Sequence, residues 1–200
     1  MEMIMKLASI FFTMILVDNY VLSKFLGICP FLGVSKKLDS AVGMSLAVTF
    51  VMVMATAATW PIYIGILEPN GLAYLQTIVF ILIIAILVQL LESILKKYIP
   101  SLYSALGVYL PLITTNCAIL GVTILNIDNG YNFAESIVCA AGSGIGFLVA
   151  MVLFSGVRRR VEAAEVPKCF EGLPITLVAA AMTSLSFMGF GGIVSNIFGV

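Results

Sequence analysis

Long apolar segments dominate this chain, and they indicate that it folds in a membrane. A spanning helix needs about 20 largely apolar residues, and six segments qualify: 4–34, 41–66, 72–95, 102–126, 133–157 and 173–198. Only 10% of the 200 residues are charged, whereas roughly a quarter is typical of soluble domains. The sequence therefore predicts an all-α integral membrane protein with six transmembrane helices in a single domain, residues 1–200.

The charged residues exclude several classes of function. Ten basic and ten acidic side chains cancel, and histidine is absent, which excludes imidazole metal sites and histidine general bases. No basic patch suited to nucleic acid is present. The first apolar segment lacks a small-residue cleavage site, so we expect no removable signal peptide.

Basic residues lie almost entirely on one side of the predicted spans. Only Lys6 lies towards the other side. The remainder are in or near loops one, three and five: Lys24, Lys36, Lys37, Lys96, Lys97, Arg158, Arg159, Arg160 and Lys168. Loops rich in lysine and arginine stay in the cytoplasm. This pattern predicts a multi-pass protein of a bacterial or archaeal cytoplasmic membrane, with both termini outside.

The loop from Arg158 to Gly172 is the only sizeable one that the sequence predicts. Its charged side chains should form a solvated surface. They are Glu162, Glu165, Lys168 and Glu171.

Two hexapeptides indicate an internal duplication. Cys29-Pro-Phe-Leu-Gly-Val34 lies in the first segment and Cys117-Ala-Ile-Leu-Gly-Val122 in the fourth. Each repeat contains three spans. Because three is an odd number, the second copy must face the opposite way across the membrane. We therefore predict two inverted three-helix repeats, about 4–97 and about 101–198. Chance is the alternative, because Leu, Gly and Val are common in membrane helices.

The residues around both cysteines predict broken helices. Pro30 suits the first turn of a helix, which makes Cys29 the expected cap. In the second copy, Pro111 should disrupt the preceding helix, and Thr114-Thr115-Asn116 offers capping side chains before Cys117. Each thiol would then lie at the positive end of a half-helix, where a thiolate is stabilised.

Two such thiolates suggest half of a metal site. Soft thiolates favour iron–sulfur clusters, zinc or copper(I), and a [2Fe–2S] cluster usually takes four thiolates. Cys29 and Cys117 supply two, so a related subunit or a second copy would supply the others. A disulfide, or two small buried apolar side chains, are the alternatives. We interpret Cys139 as packing and Cys169 as an incidental thiol.

Two further motifs carry weaker signals. The run Gly142-Ser-Gly-Ile-Gly146 looks like a nucleotide-binding glycine motif, but it lies within a span and follows no strand. Its spacing favours close helix packing instead. Asp18 and Asn19 lie in the first apolar segment, where polar groups are often functional. Asp18 could help to carry a cation or proton, or could belong to a polar subunit contact.

The cysteine motifs resemble those of the RnfA family. The matching stretches are Val21-Leu-Ser-Lys-Phe-Leu-Gly-Ile-Cys-Pro-Phe-Leu-Gly-Val-Ser-Lys-Lys37, Leu110-Pro-Leu-Ile-Thr-Thr-Asn-Cys-Ala-Ile-Leu-Gly121 and Ser184-Leu-Ser-Phe-Met-Gly-Phe-Gly-Gly192. With the six-span layout, the resemblance covers essentially the whole chain.

The resemblance implies a function that the residues alone do not. Members of this family, and related subunits of the sodium-pumping quinone reductase, belong to ion-translocating complexes. In the Rnf complex electrons pass from ferredoxin to NAD. A [2Fe–2S] cluster lies between the family member and its homologue RnfE, with two cysteines from each; here they would be Cys29 and Cys117. This chain has no complete active site of its own, so other Rnf subunits must react with ferredoxin and NAD.

Two other functions stay open from the residues. Inverted repeats and broken helices also suit a secondary ion or solute transporter, in which both cysteines would be dispensable. A purely structural assembly subunit would likewise tolerate their replacement.

Overall fold

The computed structural model describes residues 2–35, 38–98 and 110–189, and within them every regular element is helical. In chain order the helices are α1 (Glu2–Leu16), α2 (Ile28–Val34), α3 (Leu38–Ile62), α4 (Gln76–Tyr98), α5 (Leu110–Thr114), α6 (Cys117–Asp128), α7 (Phe133–Glu162) and α8 (Leu173–Met188). A π-helical segment, Tyr63–Leu67, extends α3, and a short 3₁₀ turn, Ala73–Leu75, leads into α4. The all-α prediction is confirmed for this part of the chain.

Three continuous helical stretches in the described ranges are long and apolar enough to cross a membrane: Leu38–Leu67, Ala73–Ile94 and Phe133–Glu162. They correspond to the second, third and fifth predicted spans. The other three contain shorter apolar helices, Met3–Leu16, Leu112–Asp128 and Leu173–Met188. Six full spans and the inverted repeat therefore stay predictions.

Some of the predicted features lie outside the described residues. They are Lys36 and Lys37 of the first loop, the start of the fourth span with the helix that Pro111 should disrupt, and the end of the sixth span with the close of the third matching stretch.

The first apolar segment is interrupted, as its length and its cysteine motif predict. Helix α1 ends at Leu16 and α2 begins at Ile28. Between them the chain forms turns held by local backbone bonds, such as Ser23 N–H to Asn19 O at 2.7 Å and Leu26 N–H to Tyr20 O at 2.8 Å. These hydrogen bonds satisfy backbone N–H and C=O groups, which lipid in the bilayer core cannot hydrogen-bond.

Helix α7 is the central element, and it packs against both α1 and α3. A Cβ on Gly142 would meet Phe11 O of α1 at 3.2 Å, and one on Gly146 would meet Met14 O at 2.9 Å. A Cβ on Gly144 would overlap Thr49 of α3. Glycine thus brings the backbone of α7 close to two neighbouring helices, which confirms the packing interpretation of this run.

The end of α7 corrects the predicted loop boundary. The helix continues to Glu162, so the loop is shorter than residues 158–172. Arg158, which the sequence placed at the start of this loop, is 6% exposed, and its guanidinium bonds to protein groups that replace water. The other charged side chains of the predicted loop are exposed as expected: Glu162, Glu165, Lys168 and Glu171.

The opposite end of α7 is held by a charged pair. Glu135 and Asn132 form a capping box at the start of the helix. Lys6 Nζ of α1 lies 2.7 Å from Glu135 Oε1, and the glutamate side chain is only 8% exposed. The one lysine assigned to the outer side is therefore an interhelical contact.

Candidate functional site

The first cysteine lies in the first turn of α2, although it does not cap that helix. Gly27 occupies the cap position, with a φ of 83°, and α2 begins at Ile28. Cys29 is thus the second helical residue and Pro30 the third. The predicted cap was wrong by two positions, because Pro30 can occupy any position of the first turn, where amide hydrogens have no helical acceptor. The thiol remains at the positive end of the helix.

The second cysteine lies where the sequence predicts. Asn116 is the N-cap of α6 in an extended conformation, and its Oδ1 accepts a hydrogen bond from the amide of Ala118 at 3.0 Å. Cys117 is the first residue of α6. The predicted capping segment is therefore confirmed at its last residue, Asn116.

The structure brings the two cysteine motifs into direct contact. The amide nitrogen of Gly27 lies 2.9 Å from Cys117 Sγ and donates a hydrogen bond to it. The same glycine packs so closely that a Cβ would lie 3.0 Å from Phe147 and 3.1 Å from Ala118. Residues 90 positions apart thus form one compact group.

Both cysteines of these motifs are exposed residues. Cys29 and Cys117 are exposed, and all four cysteines are free thiols. This exposure contradicts the alternative in which both are small buried packing residues. Cys139 is fully buried in the core, which confirms its packing role, and Cys169 is exposed in the loop before α8.

The donor set matches half of an iron–sulfur site. Thiolate sulfurs are the usual ligands of such clusters, and hydrogen bonds to the sulfurs help to set the reduction potential; the Gly27 amide supplies one. Among the described residues no group of three or more His, Cys, Asp and Glu side chains could hold a metal ion. Within the described ranges Cys29 and Cys117 thus offer two exposed thiols, and a [2Fe–2S] cluster would need two further ligands.

The segment that carries Cys29 is tied to the second half of the chain at further points. Asn19 Nδ2 donates to Gly146 O of α7 at 2.7 Å. Ser184 Oγ of α8 donates to Leu22 O. The irregular segment before α2 has no regular secondary structure, and the hydrogen bonds of Asn19 and Ser184 hold it against α7 and α8.

Asp18 and Asn19 differ in their surroundings. Asn19 is 1% exposed, and its Oδ1 also accepts a hydrogen bond from the amide of Val21 at 3.1 Å. Asn19 therefore has a structural role in the break. Asp18 is half-buried, and a role in carrying a cation or proton stays a prediction.

Comparison with known proteins identifies the family. The family model described as "Rnf-Nqr subunit, membrane protein" matches residues 7–194. The chain belongs to the Rnf-Nqr family.

Within the Rnf-Nqr family this chain is similar to subunits of several ion-translocating complexes. It is 58% identical over 188 residues to a subunit of the Na(+)-translocating ferredoxin:NAD(+) oxidoreductase complex of Acetobacterium woodii, and the match covers 94% of this chain and 98% of that protein. It is 54% identical over 180 residues to a subunit of the ion-translocating oxidoreductase complex of Syntrophotalea carbinolica, covering 90% and 93%. The protein of that same name from Serratia proteamaculans is 53% identical over an equal length. The resemblance drawn from the cysteine motifs is confirmed.

Sequence reasoning missed two residues of this Rnf-Nqr site. The sequence predicted Cys29 as the cap, whereas Gly27 is the cap and the donor to Cys117. Arg158 was assigned to a loop, yet it contacts the end of α2. For Gly27 the signal was its place just before a half-helix, whereas no pattern in the sequence distinguished Arg158 from its two arginine neighbours.

Proposed function

We propose that this chain is the membrane subunit of an ion-translocating ferredoxin:NAD oxidoreductase complex, in which Cys29 and Cys117 hold half of an intersubunit [2Fe–2S] cluster. One observation carries the proposal: two matching cysteine motifs converge, through the Gly27 amide and Cys117 Sγ, on a surface where both thiols are exposed. The names of the similar proteins support the complex and its substrates.

The remaining ligands would come from a partner. Of the other cysteines, one is fully buried and one lies in the loop before α8, so neither extends the Cys29 and Cys117 pair. The homologous RnfE subunit, with an equivalent cysteine pair, would complete a set of four thiolates. When bound, the cluster would transfer single electrons between the ferredoxin and NAD sides of the complex.

The residues of this chain would position and tune that site. Cys29 and Cys117 lie in the first turns of α2 and α6, where the positive end of a helix dipole would stabilise a thiolate. The Gly27 amide donates to one sulfur and so stabilises its negative charge. Apolar neighbours such as Phe147 and Ala118 would limit water on the inner side.

The membrane arrangement forms part of the proposal. Six spans in two inverted repeats would lie in the cytoplasmic membrane with both termini outside. The breaks at residues 17–27 and 115–116 support this arrangement, because they fall at corresponding places of the two predicted repeats.

The test is spectroscopy of the purified complex with single cysteine variants. We expect the [2Fe–2S] contribution to the visible and electron paramagnetic resonance spectra to disappear in Cys29→Ser and in Cys117→Ser, because a serine hydroxyl is a poor substitute for a thiolate ligand. Cys169→Ser is the matched control, since that thiol is also exposed, and it should leave the spectra unchanged. Unchanged spectra in both site variants would refute the proposal.

A secondary transporter is the second candidate, and the two broken helices favour it. Broken helices commonly form ion and substrate sites near the membrane centre. This function predicts ion or solute flux in vesicles that contain the chain alone, undiminished by Cys29→Ser. Flux that requires the whole complex and both thiols would exclude it.

A further inference from the structure

The short helix that carries Cys29 depends on contacts with α7. With seven residues, α2 is far below the roughly 12 residues at which isolated helices become even marginally stable in water. Two side chains of α7, Phe154 and Arg158, lie one turn apart on the same face and both contact α2. Side chains of α7 therefore help to hold α2, which also packs against α3 and α5.

The aromatic contact fixes the middle of α2. The rings of Phe31 and Phe154 stack with their centroids 4.2 Å apart and an angle of 24° between the planes. Both side chains are almost fully buried. This pair brings the middle of α2 into contact with α7. It does not supply a hydrogen-bond donor to the carbonyl groups in the last turn of α2.

Arg158 occupies that end. Its Nη1 donates to Leu32 O in the last turn of α2 and to Ser35 Oγ at the C-cap, the latter at 2.8 Å. Carbonyl groups of a last turn have no helical donor, and a cation at this end complements the helix dipole. Its Nε bonds to Glu162 Oε1 at 3.0 Å, so the buried charge is also balanced.

We propose that Arg158 is a positioning residue that holds α2, and with it the Cys29 thiol, in the geometry that the shared cluster requires. This inference rests on the proposed function. Cys29 lies in the first turn of α2 and Arg158 at its last turn, so a shift at the arginine end moves the thiol with the helix. The Gly27 amide, which bonds to Cys117, is the anchor at the other end.

The test compares Arg158→Gln with Arg159→Gln in the purified complex. Arg159 is adjacent in sequence but exposed, which makes it a matched control. We expect hydrogen exchange in the peptide over residues 28–35 to accelerate about tenfold in Arg158→Gln, since a hydrogen bond to a charged group is lost. We expect the [2Fe–2S] resonance to shift or to disappear. Arg159→Gln should leave both measurements at the wild-type values.

Two more variants keep the test decisive. Arg158→Lys retains the charge and should restore most of the resonance. Ser35→Ala removes one acceptor and leaves no buried charge unpaired, so it should accelerate exchange less than Arg158→Gln. It replaces Arg158→Gln if the complex with that substitution does not assemble. We expect the Arg158→Gln complex to assemble, because Arg158 and Leu32 both line a cavity of about 600 Å³ that has room for water.

The outcomes separate this inference from the proposed function. Wild-type exchange and resonance in both Arg158→Gln and Ser35→Ala would overturn the inference while leaving the cluster ligands intact. A resonance that survives in both Cys29→Ser and Cys117→Ser would instead refute the proposed function. In that event the hydrogen exchange of residues 28–35 in Arg158→Gln alone tests whether Arg158 holds α2. Exchange at the wild-type rate would then overturn the inference.

Discussion

Among single residues, Gly27 combines two requirements that only glycine meets. Its φ of 83° lies in the left-handed region, and a Cβ there would approach Phe147 to 3.0 Å and Ala118 to 3.1 Å. The close approach is also what places its amide on Cys117 Sγ. Backbone conformation, packing and the sulfur contact therefore depend on the same missing side chain.

Replacing Gly27 with alanine should destabilise the protein by more than the cost of the left-handed backbone at this position. The left-handed backbone costs about 1–2 kcal/mol for an L residue, and the overlap with Phe147 and Ala118 adds about 1–3 kcal/mol. We expect a lower Tm of the complex and a shifted cluster potential.

The control for this change is Gly130→Ala. Gly130 has a φ of 64°, but nothing lies within 4 Å of its Cβ position. It should carry only the conformational cost. Equal losses in thermal denaturation for the two variants would show that contacts around Gly27 contribute nothing.

Among the helices, α7 is the one that contacts most of the elements around the cysteine motifs. It contacts α1 and α3 through glycines on different faces, α2 through Phe154 and Arg158, and the irregular segment through Gly146 O. A displacement of α7 would therefore move both α2 and the irregular segment before it.

Alanine at Gly146 should separate α1 from α7. The added Cβ would meet Met14 O at 2.9 Å, and backbone atoms cannot move aside as a flexible side chain can. We expect a loss of about 1–3 kcal/mol, seen as a lower Tm of the purified complex.

Gly156→Ala in the same helix is the matched control, because nothing lies within 4 Å of that position. It should be neutral or slightly stabilising, since alanine favours a helix over glycine by about 1 kcal/mol. A Tm for Gly146→Ala at or above that of Gly156→Ala would contradict the packing role.

Local features of these elements could be predicted where a short-range rule governs them. Asn116 caps α6 and the glycine run of α7 packs closely, because capping and close approach depend on the residue itself. The start of α2 was misplaced because proline is compatible with several positions of a first turn. Arg158 could not be predicted, since its burial depends on Leu32 and Ser35, more than 120 residues away.

For the whole molecule, the predicted orientation places the loop before α8 in the cytoplasm. The test uses the native Cys169 in a Cys29→Ser, Cys117→Ser background. A membrane-impermeant maleimide should label Cys169 only after cells are permeabilised, because the thiol is exposed and the predicted orientation places it on the inner side.

The comparison for this labelling is Asn70→Cys in the same background with Cys169→Ser. Asn70 is exposed and lies in the loop between the second and third predicted spans, so it should be labelled in intact cells. Labelling of Cys169 in intact cells, with Asn70→Cys protected, would reverse the orientation.

The exposed thiols also have a consequence for biosynthesis. Under the proposed function, a copy of the chain made without a partner carries Cys29 and Cys117 exposed among the described residues, and exposed thiols are open to oxidation. Matched synthesis of the two proteins would protect them. If the proposed partner completes the site, an excess of this chain should collect as oxidised, unassembled protein, and the ratio in which the two proteins are made would limit how many sites form.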